Sequence, residues 1–206
     1  KYGKRTVFTA HNIYPHGANS IQRFLYKLLL NEFSAVIVHT REAKVKIGLS
    51  DPMKISVVSH PLIYKKPKPK QTTVSRCYIG LLGKWDGYKR YDKALRVYKP
   101  IELQFNFKIS FLTTENKLRG REINLISVRC DSDSDFQDLL RKCNIIVLPH
   151  DEISASGLLI NALSNEIPVI ATKGTGSEEI ISQFGGGLLI EGFSPEDWYI
   201  ATKRLA

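Results

Sequence analysis

Two lysines five residues apart around a glycine-rich turn are suited to gripping a diphosphate. In Gly80-Leu-Leu-Gly-Lys-Trp-Asp-Gly-Tyr-Lys-Arg90, Lys84 follows Gly83 directly and Lys89 closes the other side. Where such a turn joins a strand to a helix, free backbone N–H groups and the positive helix end attract anions, and the two ammonium groups can close on the phosphates. The spacing is neither the G-x-x-x-x-G-K-[ST] of a P-loop nor a G-x-G-x-x-G fingerprint, and a solvated basic loop is the bland alternative. Pro149-His-Asp-Glu-Ile-Ser-Ala-Ser-Gly-Leu158 opens a second helix at Ser156-Gly157, with Asn161 one turn in. Lys173-Gly-Thr-Gly-Ser-Glu178 repeats the pattern a third time. Helix capping without a ligand explains each turn singly. It does not explain why all three are glycine-rich.

Five histidines, His11, His16, His39, His60 and His150, show no H-E-x-x-H or other clustered ligand spacing, so no metal site is expected. His39, at a strand end, and His60, before Pro61, read as structural. His11 and His16 lie on a loop after a strand, where functional side chains concentrate, and are candidates for direct substrate contact. No G-x-S-x-G elbow supports Ser/His/Asp hydrolysis.

Elements that position these residues follow from the periodicity. Strands are expected at Thr6–Ala10, Ala35–His39 and Ile55–Val58, alternating with helices at Ser20–Leu30 and Arg41–Leu49. Beyond residue 71, strands are expected at Tyr78–Leu82, Phe107–Thr113, Ile123–Val128, Asn144–Leu148, Ile167–Ala171 and Gly187–Ile190. Helices are expected at Lys89–Tyr98, Asp133–Lys142, Gly157–Ser164, Ser177–Phe184 and Pro195–Leu205. The alternation implies α/β architecture with parallel, doubly wound sheets, whose ligands lie at the carboxyl ends of strands. Lys65-Lys-Pro-Lys-Pro-Lys70 excludes helix and central strand, so 65–71 reads as a linker between a first domain at 1–64 and a second at 72–206. Three strands make only half of a doubly wound domain, and about 80 to 100 residues of an amino-terminal half are expected to be missing from the chain.

The 206 residues, 43% hydrophobic and 24% charged, suit a globular protein rather than a disordered or fibrous one. Phe24 to His39, the most apolar stretch, is broken by Lys27, Asn31 and Glu32, so no membrane span is expected. An opening without an apolar signal region and an odd set of three cysteines, Cys77, Cys130 and Cys143, lead us to expect a cytosolic protein. Residues 1–70 hold 13 Lys/Arg against 3 Asp/Glu, while the rest balance at 17 each. That asymmetry points the first third at an anion such as a lipid surface, or else marks a plain solvated face. No nucleic-acid motif accompanies it, and nucleic acid is not an expected partner.

Together these residues resemble the GT-B glycosyltransferases of the group 1, family 4 type. Gly83-Lys84 with Lys89 resembles that family's donor-diphosphate element. Asn144-Ile-Ile-Val-Leu-Pro149, Ser156 to Ser164, Ile167 to Thr172, Gly174 to Glu179 and Gly185-Gly-Gly187 follow its order and spacing. Thr9 to His16, Val38-His-Thr40 and Val57 to Pro61 resemble the end of its acceptor domain and the crossing to its donor domain. The resemblance implies a Rossmann-like donor domain preceded by a partial acceptor domain. It implies transfer of a sugar, with retained configuration and without metal or other cofactor, from a UDP- or GDP-type donor to a glycan or lipid-linked acceptor in polysaccharide biosynthesis. Lys84 and Lys89 would hold the diphosphate, joined by the backbone of Ser156 and Gly157. Val128 and Arg129 would flank the base, and His11 would face the donor sugar from the acceptor side. Of the family's two glutamates eight residues apart, Ile153 and Asn161 occupy the positions here. Asn161 can still bond a ribose, and Glu152 supplies the carboxylate if the loop shifts by one residue. A nucleotide-sugar epimerase of the same fold and a non-catalytic nucleotide-sugar-binding subunit remain as rivals.

Overall fold

A computed structural model of the chain describes residues 5–14, 18–61, 76–114, 124–151 and 156–206. The expected linker at 65–71 lies outside them. The first parallel sheet is built by β1 (Val7–Thr9), α1 (Ser20–Glu32), β2 (Ala35–Val38), α2 (Arg41–Ile47) and β3 (Ile55–Val57), in the order β1-β2-β3. Asn19 and Gln22 form a reciprocal capping box that starts α1. Thr40 caps α2, which ends at Gly48 rather than Leu49 because Gly48 turns into the left-handed region at φ 55°. Leu30, Val36, Val38, Ile47 and Ile55 form the small core. The opposite face of α1 leaves Ile21, Phe24, Leu25 and Leu28 exposed, and β1 has a strand neighbour on one side only among the described residues.

The second unit runs β4 (Arg76–Leu81), α3 (Tyr91–Tyr98), β5 (Lys108–Thr113), β6 (Leu125–Ser127), α4 (Asp133–Lys142), β7 (Ile145–Leu148), α5 (Gly157–Ser164), β8 (Val169–Thr172), α6 (Gly176–Phe184), β9 (Gly187–Ile190) and α7 (Pro195–Leu205). Its six parallel strands lie in the order β6-β5-β4-β7-β8-β9, so winding reverses between β4 and β7. On one face Ile79, Leu81, Phe111 and Val147 pack against Tyr91, Tyr98 and Trp198 of α3 and α7. On the other, Leu112, Ile146 and Leu148 pack against Leu139, Leu140 and Leu159 of α4 and α5. Burial on both faces is why β7, Ile145–Leu148, is a continuous apolar run. Gly80 sits where the backbone must come close, since a Cβ there would lie 2.4 Å from Ile146 Cδ1 and 2.8 Å from Cys143 Sγ.

The helix expected over Lys89–Tyr98 is instead a 3-10 turn at Gly87–Lys89 followed by α3. Arg90 separates them in the left-handed region at φ 50°, a conformation no continuous helix contains. Across the two units, the Arg41 N–H at the start of α2 donates to Glu179 Oε2 of α6 at 2.6 Å. No helix among the described residues is long and apolar enough to cross a membrane.

Candidate functional site

The winding reversal leaves a crevice at the carboxyl ends of β4 and β7, and a cavity of about 340 Å³ occupies it. Gly83, at φ 88°, opens the loop after β4. Its N–H donates to Thr114 Oγ1 at 3.1 Å, so this amide is not the free anion donor that the glycine-rich turn suggests. A Cβ on Gly83 would come within 3.1 Å of Lys89 Nζ, and the glycine therefore leaves room for that ammonium. Lys89 Nζ also lies 5.9 Å and 6.0 Å from the ring centroids of Tyr88 and Tyr91. The Tyr91 hydroxyl donates to the Leu82 carbonyl at 2.8 Å, and burial pushes its phenol far above the ordinary range. The loops after β4 and β7 are tied together by Asp151 N–H donating to the Tyr88 carbonyl at 2.9 Å and by the Arg90–Asp151 ion pair.

The far wall is the start of α5. Ser156 caps it, its Oγ accepting from Leu159 N–H at 3.4 Å, and a Cβ on Gly157 would meet nothing within 4 Å. Asn161 is held in place by two contacts: its Nδ2 donates to the Gly157 carbonyl at 3.0 Å, and its Oδ1 accepts from Gln137 Nε2 at 3.2 Å. Between the walls stands His150, only 6% exposed, with Tyr88 and Tyr91 edge-on to its ring at 5.7 and 6.1 Å. Burial, with the Lys89 charge adding to it and Asp151 opposing, lowers the imidazole pKa to about 4. It is therefore neutral at pH 7. Its Nε2 is buried without a hydrogen-bond partner. A cation, a helix start and a neutral imidazole together can hold a phosphorylated ligand and pair with one of its hydroxyls.

Asn12, from the loop after β1, lines the same cavity, so both units contribute to it. The neighbouring His11 is exposed, its Nδ1 lying 3.3 Å from His39 Nε2. Of the sequence-level candidates, Gly83, Lys89, Ser156, Gly157 and Asn161 come together at the cavity. Lys84 does not line it: its side chain is 79% exposed and pairs with Asp86 at 3.5 Å. Val128 packs against the core under α4 and α5, and Arg129 pairs with Asp131 at 2.7 Å, both outside the lining. His16, Glu152 and Ile153 lie outside the described residues. Asn12, Tyr88, Tyr91 and His150 join the lining without having been singled out by their sequence pattern. The signal for His150 was its place immediately beyond the buried strand β7 and Pro149.

No family model and no curated protein matches the chain. Solved structures do. TarM superposes with a TM-score of 0.71 at 18% identity over 98% of this chain and 43% of its own. Anabaena HepE, solved with UDP and glucose, gives 0.71 at 14% identity over 97% and 61%. Sucrose-phosphate synthase from Thermosynechococcus elongatus gives 0.71 at 15% identity over 96% and 57%. The chain thus spans about half the length of these proteins. They are GT-B glycosyltransferases, and the fold of this chain is the GT-B fold, with parallel α/β sheets on both sides of the crossing.

Proposed function

We propose that this chain forms the donor-binding domain and part of the acceptor domain of a retaining, metal-independent glycosyltransferase. Its donor is a UDP- or GDP-type nucleotide sugar and its acceptor a glycan or lipid-linked glycan. The observation that carries the reading is the switch-point cavity, in which Lys89 and the start of α5 face Asn12 of the other unit. Lys89 and the Ser156-Gly157 backbone take the diphosphate, stabilising the leaving group as the glycosyl bond breaks. Asn161 lies beside them for the ribose, and Val128 and Arg129 flank the base. His11, His16 and Glu152 serve the sugar and the incoming hydroxyl. The structural neighbour HepE, solved with UDP and glucose, supports the donor class. The basic first third suits a cytoplasmic, anionic membrane surface that presents a lipid-linked acceptor.

The test is incubation with UDP- and GDP-sugars, with and without glycan and lipid-linked acceptors, and analysis of the products. Acceptor-dependent transfer with retained configuration is expected. A sugar isomerised without acceptor would point to an epimerase instead, and no binding of UDP or GDP would remove the reading altogether.

A further inference from the structure

A histidine follows each strand of the small sheet within three residues: His11 after β1, His39 directly after β2 and His60 after β3. Parallel pairing sets Thr9 beside Ile37 and Val38 beside Val57, which brings the three carboxyl ends level. The ring centroids of His11 and His39 are 5.1 Å apart, those of His39 and His60 4.8 Å, and those of His11 and His60 6.3 Å. One nitrogen from each ring lies within 4.8 Å of the other two. We propose that these imidazoles form a binding site for a divalent transition-metal ion of the zinc class, on the small-sheet side of the cleft.

The tautomer supports it. His39 Nδ1 lies 3.0 Å from the Val58 carbonyl oxygen, a contact that requires Nδ1 to carry the proton and donate. The Nε2 lone pair is thereby left facing the cluster, and a backbone carbonyl holding the far nitrogen is how proteins orient a metal-ligating imidazole. His60 repeats the arrangement, Nδ1 at 3.5 Å from the Pro61 carbonyl. Spacing is the second support. Two nitrogens on a tetrahedral zinc, each bonded at about 2.0 to 2.1 Å, stand about 3.4 Å apart. His39 Nε2 and His11 Nδ1 are already at 3.3 Å. The remaining pairs must close by at most about 1.4 Å, within reach of a side-chain rotation at His60.

The ligand chemistry sets the kind of ion. Three neutral nitrogen donors favour zinc, copper, nickel or cobalt over magnesium and calcium, which take oxygen. Three protein ligands leave a fourth position open. His11, bound through Nδ1, would present its Nε2–H outward, where it donates to an oxygen but takes no proton. The ion is separate from the diphosphate, whose charge falls to Lys89 and α5, and the inference does not depend on the donor reading.

The experiment is calorimetric titration of the chelator-stripped protein with Zn²⁺, supported by competition with a coloured chelator. One equivalent is expected, with affinity falling about a hundredfold or more in His39→Ala and in His60→Ala. Co²⁺ in place of Zn²⁺ should give the visible absorption of a tetrahedral nitrogen-ligated ion, weakened by His11→Ala. The metal-free His39 and His60 variants should melt like the metal-free wild type and keep its UDP affinity, so that loss of UDP binding remains a separate matter. If His39→Ala does not fold, His60→Gln and His11→Ala, altering rings that are partly or fully exposed, carry the test. Absence of uptake at micromolar Zn²⁺, or uptake undiminished by substitutions at two of the three positions, overturns the proposal.

Discussion

Replacing His150 with leucine should make the protein less sensitive to acid. The imidazole is only 6% exposed and its pKa is held at about 4 in place of the ordinary 6.5. As pH falls below about 6.5, the unfolded chain takes up a proton that the folded chain refuses until about pH 4. The stability associated with the neutral imidazole is thus fully present above pH 6.5 and is lost as pH falls toward 4. Between pH 7 and pH 5 the loss is about 2 kcal/mol, approaching about 3 kcal/mol by pH 4, or about 4 to 8 °C in melting temperature at pH 5 for a chain of this size. Leucine has nothing to protonate and is close in volume. It also removes the buried Nε2 that has no partner, so at pH 7 the variant should be no less stable than the wild type. Urea unfolding of both proteins at pH 7, 6 and 5 separates this contribution from the carboxylates common to both. Parallel stability curves would show that His150 titrates normally and would refute the buried, neutral assignment. With UDP bound, the order should reverse, the wild type gaining more from ligand than the variant if Nε2 meets it.

Lys89→Ala should weaken UDP or GDP binding about 10- to 150-fold, the loss of a charge-assisted phosphate contact, while the exposed and paired Lys84→Ala should add little to it in the double variant; calorimetry on all three proteins decides. Asn161→Ala should cost about 0.5 to 1.5 kcal/mol of nucleotide affinity and Asn161→Glu should be tolerated, whereas no effect from either would detach the start of α5 from the ribose. His11→Ala should lower turnover on the order of a hundredfold with nucleotide affinity and melting temperature preserved, and a parallel loss of stability would make it a scaffold residue. Residues 1–70 should direct binding to anionic vesicles that weakens as salt rises, and a flotation assay insensitive to salt would leave the basic third as a solvated surface.

The large sheet was legible because parallel strands buried on both faces carry their own signature: Ile145–Leu148 and Val169–Ala171 are apolar and buried throughout. The loop glycines Gly83 and Gly174 were legible because their left-handed backbone, at φ 88° and 74°, demands that residue type. Position within the site was not. Lys84 and Lys89 look equivalent around their turn, and only the 3-10 turn at Gly87–Lys89 brings the second to the cavity while the first turns to Asp86. His11, His39 and His60 are separated by 28 and 21 residues, and nothing local links them. They meet because the strand register aligns three loop starts, a long-range fact that spacing rules for contiguous ligands do not contain. Reading His39 and His60 one at a time, as structural residues, leaves that proximity out of view. Similarly, a histidine one residue beyond Pro149 looks like a loop residue until Tyr88 and Tyr91 are folded over it.

The Arg41–Glu179 hydrogen bond has a mechanical meaning. It joins the first amide of a helix on one side of the cleft to a carboxylate on a helix of the other, where the helix dipole reinforces it. Exposed but charge-assisted, such a bond is worth about 1 to 2 kcal/mol, which favours the joined arrangement over a parted one by about 5- to 30-fold. A bias of that size helps keep the two halves of the pocket in register. Glu179→Ala should therefore shift the balance between joined and parted arrangements by up to that factor, a change that a distance measurement across the cleft would read.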